Sequence, residues 1–304
     1  MNGVTQELAQ FAANYSQPEV SDYVSEVTGR RFAIFAALAA ESANEQSVNS
    51  VLEALQEGND SDQVGILGRN DRLSLVDAPI VTGTSIAISL NQKTSFLDGN
   101  WFQAAIVAAA LSAGEYRNTK GVDLLLSLVV ASEVGLRVES AMSPGILELG
   151  WAPSSVASLF GAATVAGRCF GLDAKAFVSV FGLAATQVAG FAVTKSSALG
   201  DFAVGKAAGD GTEAAFLSKI GFSGSSAPIE GRRGLLELVT PGRNEKSRIT
   251  RDLGKVWLVE GLGDQQEVLS ELKFQRTFEA GMHLATLTDL SELHQASKED
   301  LKSI

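Results

Sequence analysis

Ala-rich apolar segments, each closed by a glycine or a polar turn, recur along this 304-residue chain and restrict it to folds made of closely packed helices. They are Arg31–Ala43, Gln103–Glu115, Gly121–Met142, Ser154–Phe170, Ala174–Val193 and Ala207–Ile220. Strict alternation of apolar and polar residues is scarce, whereas Ala and Leu favour helix and small side chains let helix axes approach. Stop signals stand where such helices should end, as in Gly171-Leu172-Asp173 and Gly221-Phe222-Ser223-Gly224. Pro18, Pro144 and Pro153 stand near expected starts. The expected architecture is a mainly α-helical bundle over residues 1–249. Composition turns more charged after Gly231, so a smaller C-terminal region is expected over 250–304, with Lys255–Val259 as its strand candidate. No internal repeat or low-complexity tract is evident.

Charge and cysteine usage exclude several function classes. Lys plus Arg total 24 against 35 Asp plus Glu, a formal charge of −11 that repels phosphate backbones. The Arg-rich stretch from Arg232 to Arg251 is interrupted by Glu237 and Glu245, so nucleic acid is not an expected partner. Cys169 is the single cysteine, which excludes an intramolecular disulfide and a cysteine-based metal site within one chain. That usage, and an N-terminus without a basic stretch followed by an apolar run, give a cytoplasmic expectation. Ala176–Val193 carries no charge, but its Gly, Ser, Thr and Gln187 make membrane insertion poor. It is expected to be a helix buried on all sides, with no membrane partner.

Few residues carry obvious chemistry. The two histidines are His283 and His294, and the second, in a charged tail, is expected to be solvated. Neither supports a metal site, and the Gly205–Gly211 spacing matches no nucleotide-binding loop, so no cofactor is expected. Asp98-Gly99-Asn100 reads as a turn. Glu230-Gly-Arg-Arg-Gly234 sets side by side two guanidiniums suited to forking onto a carboxylate, with surface ion pairing as their commoner fate.

Several segments resemble, in order, those of the MmgE/PrpD family. Asp77–Thr84 resembles its "dAAlvNGt" stretch, and Ala104–Glu115 its helix ending in "ALAlAE". Gly121–Arg137 resembles "GrdLLlAivaGyEvaiR" most specifically. Phe160–Asp173, Gly182–Gly190 and Gly221–Gly234 complete the run, which extends over most of the chain. The resemblance implies a helical domain, here with a reduced α/β lid remnant, assembled as a homodimer buried through the Ala-rich helices. It also implies cofactor-independent lyase or isomerase chemistry on small polycarboxylates, in the manner of 2-methylcitrate dehydratase and cis-aconitate decarboxylase. The tail is short for a full lid, so the pocket is expected to be more open or closed by a partner subunit.

The family's charged set is largely replaced. Its aspartate falls on Leu90 or Asn91, with Gln92-Lys93 in place of the following acidic pair, while Thr94 matches. Its histidines fall on Asn100 or Trp101, on Ala152 and on Ala203, and one lysine falls on Gly200. Lys273 in Leu-Lys-Phe-Gln matches the later lysine, with His283 near the histidine that follows it. The resulting expectation is a modified enzyme, a lyase, isomerase or cyclase of specialised metabolism, acting on a less charged small molecule. Lys273, Asp98 and His283 are its candidate catalytic residues, and Thr94, Asn100, Trp101, Trp151 and Lys206 its candidate substrate-binding residues. The alternatives are the conventional polycarboxylate activity, with Asp98 as base and Lys206 and Lys273 as anion holders, and a non-catalytic scaffold.

Overall fold

The computed structural model describes residues 3–16, 20–58, 60–93, 101–194, 197–262 and 271–303. The described chain is mainly helical. Its helices are α1 (Val4–Asn14), α2 (Asp22–Glu41), α3 (Gln46–Gln56), α4 (Ala78–Gln92), α5 (Trp101–Arg117), α6 (Gly121–Met142) and α7 (Gly145–Glu148). They continue with α8 (Pro153–Cys169), α9 (Ala174–Thr186), α10 (Ala198–Lys219), α11 (Leu235–Val239), α12 (Ser247–Thr250), α13 (Gln275–Met282) and α14 (Ser291–Leu301). Strands β1 (Val64–Gly65) and β2 (Arg72–Leu73) form a small antiparallel hairpin.

Helix ends follow local chemistry. Pro153 opens α8, where the missing N–H has no helical partner to lose. The hydroxyl of Ser21 accepts from Val24 N–H at the start of α2, and the Asp173 carboxylate accepts from Ala176 N–H at the start of α9. Gly171 and Gly221 stop α8 and α10 at φ 69° and 97°, conformations only glycine adopts without strain.

Helix directions follow from which residues meet. Ser85 Oγ donates to the Ala39 carbonyl and Ser89 Oγ to Ser42 Oγ, so α4 runs parallel to α2. A Cβ on Gly83 would stand 2.8 Å from Gly205 Cα, and one on Gly209 2.5 Å from Ile80, so α10 runs antiparallel to α4. Gly161 abuts Ile106, while Ala113, Ala166, Phe170 and Ala215 share one apolar cluster, so α5, α8 and α10 are mutually parallel. The C-terminal ends of α2 and α4 and the N-terminal ends of α5, α8 and α10 therefore share one end of the bundle. Small residues in α4, α5, α8 and α10 permit this close stacking.

A buried ion pair fastens the tail to this bundle. Glu133 and Arg137 of α6 are 0 % and 2 % exposed, and Arg137 Nε donates to Glu133 Oε1 at 2.6 Å. Arg137 also donates to the carbonyls of Arg251 (2.7 Å) and Val256 (2.6 Å). Glu133 Oε2 accepts the N–H groups of Leu258 (2.8 Å) and Val259 (3.2 Å). Buried charges that satisfy each other and the surrounding backbone define that backbone's path.

Some expectations are corrected. Lys255–Val259 is no strand: its backbone turns and enters a 3-10 helix at Leu258–Leu262, with Leu258 and Val259 N–H bound by Glu133 rather than by a neighbouring strand. Within the uncharged stretch, α9 stops at Thr186 and buries only the face of Phe177, Val180, Phe181 and Ala184, because it lies on the outside of α1, α8 and α10. Among the described residues no helix is long and apolar enough to cross a membrane. His294 is not solvated. It is 18 % exposed, with Nε2 2.9 Å from Glu115 Oε2. Burial pushes Glu115 upward, but His294, Gly65 N–H and Arg72 outweigh it and hold the carboxyl below its ordinary range.

Candidate functional site

The bundle end assembled from α2, α4, α5, α8 and α10 sets two buried polar pairs on an apolar frame. On one side of the α4 terminus, Asn91 Nδ2 donates to Asp201 Oδ1 at 2.5 Å. Asp201 occupies the first turn of α10 and is 7 % exposed. Burial pushes its carboxyl up to about 6, the Asn91 hydrogen bond only partly opposing this. On the other side, Lys93 Nζ pairs with Glu41 Oε1 at 3.0 Å, the two side chains being 9 % and 7 % exposed. Lys93 also donates to the Glu271 carbonyl at 2.9 Å, and Glu41 Oε2 has no hydrogen-bond partner among the described residues.

Lys273 belongs to the same corner, with its ammonium 3.9 Å from Glu41 Oε1 and its side chain 72 % exposed. The distance and exposure make that pair weak, leaving Lys273 free to turn toward an anionic group. Trp101 opens α5 and packs against the core. Trp151 precedes α8, makes a bridge with Phe191 and lies 6.0 Å from its ring, so this pair forms an apolar edge beside the start of α8. Three helix N-termini at one end add partial positive charge there.

The remaining candidates stand apart. Lys206 lies beyond the first turn of α10 and pairs with Asp210, one turn further from the bundle end. His283 is exposed at the far end of the eight-residue α13, about 12 Å along the axis from the Lys273 end. Gly281 of the same helix abuts Ala33, whereas Lys273 reaches Glu41, which fixes α13 antiparallel to α2 and carries His283 away. Thr94, Asp98 and Asn100 lie outside the described residues.

The sequence did not single out Glu41 and Asp201, which the structure makes candidates. Asp201 sits directly after the position of an absent family lysine, Gly200, and a carboxylate among Ala and Gly was the available signal. Glu41 had only the weaker signal of a charge closing an apolar helix, and Lys93 stood out solely as a reversal of an expected acid. Among the described residues no group of histidine, cysteine or acidic side chains has metal-binding geometry.

The family profile described as the MmgE/PrpD N-terminal domain matches residues 6–247. No curated protein matches the chain.

Proposed function

Because the chain belongs to the MmgE/PrpD family, whose members point to dehydratase or lyase-like chemistry, we propose that it is a cofactor-independent lyase or isomerase acting on a small organic metabolite at the Asp201 end of the bundle. The observation that carries this reading is the Asn91–Asp201 hydrogen bond, which holds a buried carboxyl at the shared end of α4 and α10. A carboxyl raised to about 6 can take and return a proton near neutral pH, the task left open by the absent histidines. Asp201 would abstract a proton next to a carbonyl or carboxylate. The resulting negative charge would face the N-termini of α5, α8 and α10, with Lys273 as the mobile cation. Trp101, Trp151 and Phe191 would supply an apolar wall suited to a less charged substrate.

The conventional polycarboxylate reading is less well supported, because Lys206 pairs with Asp210 and Lys93 with Glu41 instead of being left to hold anions. The scaffold reading predicts that Asp201 has no catalytic role. Incubating the protein in deuterium oxide with a panel of short hydroxy acids, amino acids and keto acids tests both, with proton exchange and elimination followed by NMR. The proposal expects a substrate whose turnover is lost in Asp201→Asn and weakened in Lys273→Met. Equal turnover in Asp201→Asn would remove the proposed centre.

A homodimer is also part of the proposal, on a different surface from the Ala-rich helices. The alanines of α2 and α5 are enclosed by the chain's own helices. Instead Phe191, Val193 and Leu199 are 61 %, 88 % and 68 % exposed before and at the start of α10, an apolar surface suited to a subunit contact.

A further inference from the structure

We propose that the cleft between the Glu230–Glu237 and Asn244–Ser247 segments is a binding site for a small polyanionic metabolite, one bearing a phosphate or paired carboxylates. The cleft has a volume of about 710 Å³, the size of a small-molecule site. Arg232, Arg233 and Lys246 line it, all exposed, and their side chains make no hydrogen bond or ion pair with any other described residue.

The acids of the cleft are, with one exception, already engaged elsewhere. The Glu230 carboxylate accepts from the backbone N–H and the hydroxyl of Thr5 in α1. Glu245 accepts from Arg248 and from Arg251, each at 2.8 Å, and neither arginine lines the cleft. Those two arginines hold the Glu245 carboxyl below its ordinary range, Arg251 foremost. Hydrogen bonds from the neutral Thr5 leave the Glu230 charge in place, so Glu230 and Glu237 stand against three lining cations. Arg248 and Arg251 together carry one charge more than the Glu245 they pair with. A chain of net charge −11 thus presents a concave surface of locally positive charge. The floor is α11 around buried Leu236, with Asn244 Nδ2 donating to the Leu236 and Thr240 carbonyls. Two adjacent guanidiniums offer forked donors that match an oxyanion better than an ammonium does, and Lys246 adds a point charge from the facing segment.

The test uses calorimetry and thermal shift on the full chain, with inorganic phosphate and citrate as separate probes and sodium chloride matched for ionic strength. Arg233 sits at φ 62°, so Arg233→Asn removes the charge while retaining a residue that tolerates this conformation. Arg232→Gln and Lys246→Gln complete the set. The expected result is saturable binding of at least one probe at sub-millimolar to millimolar concentration, weakened at least ten-fold in Arg232→Gln/Arg233→Asn. Lys246→Gln should weaken it less, and the variants' unliganded melting should stay unchanged. Phosphate binding alone would identify a phosphorylated ligand, and citrate binding alone a polycarboxylate. Absence of saturable binding by both probes, or equal binding in the double variant, would overturn the proposal.

Discussion

Glu133 and Arg137 stand one turn apart on α6 as a fully buried ion pair, and between them they hold the backbone from Arg251 to Val259 against the bundle. Burial alone pushes Glu133 above its ordinary range, and Arg137 and the two backbone N–H groups oppose that. These are the two charged residues that close the most specific family-like motif, Gly121–Arg137. Their role in the structure is architectural. They secure the stretch that leads toward Lys273.

Removing one partner strands the other charge and several carbonyls. Arg137→Met is expected to lose about 3–5 kcal/mol of stability, the range for breaking a buried pair. Denaturant titration checks the loss, and limited proteolysis should cut first within residues 248–262. A variant as stable as the parent would show that the pair is dispensable.

The α4–α10 crossing sets the position of Asn91 relative to Asp201. A Cβ on Gly205 would stand 2.2 Å from the Ile80 carbonyl and 2.3 Å from Thr84 Oγ1, so the helices must separate to admit it. Gly205→Ala is expected to cost about 1–3 kcal/mol, the usual penalty of overpacking. Loss of the Asn91–Asp201 bond should lower the Asp201 midpoint's dependence on Asn91, seen as no further shift when Asn91→Ala is added. A strictly additive second shift, from carboxyl NMR titration, would show that the crossing does not position the pair.

The stability contributed by Glu139 and Asp201 should fall as pH rises from about 4 to about 7. Burial raises Glu139 from an ordinary 4.5 to about 7 and Asp201 from 3.8 to about 6. A raised carboxyl binds its proton more tightly in the folded state. Its stabilisation is complete below the ordinary value and is lost as pH climbs through the raised one. Glu139→Gln should flatten the upper part of the curve of melting temperature against pH. An unchanged slope in that variant would assign the dependence to other groups.

Much of the fold was legible because helix periodicity and stop signals are local. Gly121–Met142 is α6 as read, and Gly171 and Gly221 end helices as expected. Val-Trp-Leu-Val has strand-like composition, but the N–H groups of Leu258 and Val259 are bound by the Glu133 carboxylate, 125 and 126 positions earlier in the chain. The proposed site was only partly legible: motif matches singled out Trp151 and Lys273, whereas Asp201 and Glu41 become candidates only when α4 is set between α10 and α2. His294 looked solvated because nothing local announces Glu115, which lies 179 positions earlier.

The exposed apolar surface at Phe191, Val193 and Leu199 predicts self-association. Sedimentation at micromolar concentration should give a dimer, and Phe191→Ser/Leu199→Ser a monomer of unchanged helicity. A monomeric parent would remove this part of the account.

The central claim is that Asp201, held by Asn91, is the proton-transfer group. The most direct measurement is the pH dependence of turnover for the substrate identified from the panel, in the parent, Asp201→Asn and Asn91→Ala. The account predicts an activity limb with an apparent pKa near the value of about 6 raised by burial. It predicts at least a hundred-fold loss in Asp201→Asn, within the usual range for a general base. Because the Asn91 hydrogen bond favours the charged form, the limb should move upward in Asn91→Ala. Full activity in Asp201→Asn with an unaltered pH profile would contradict it.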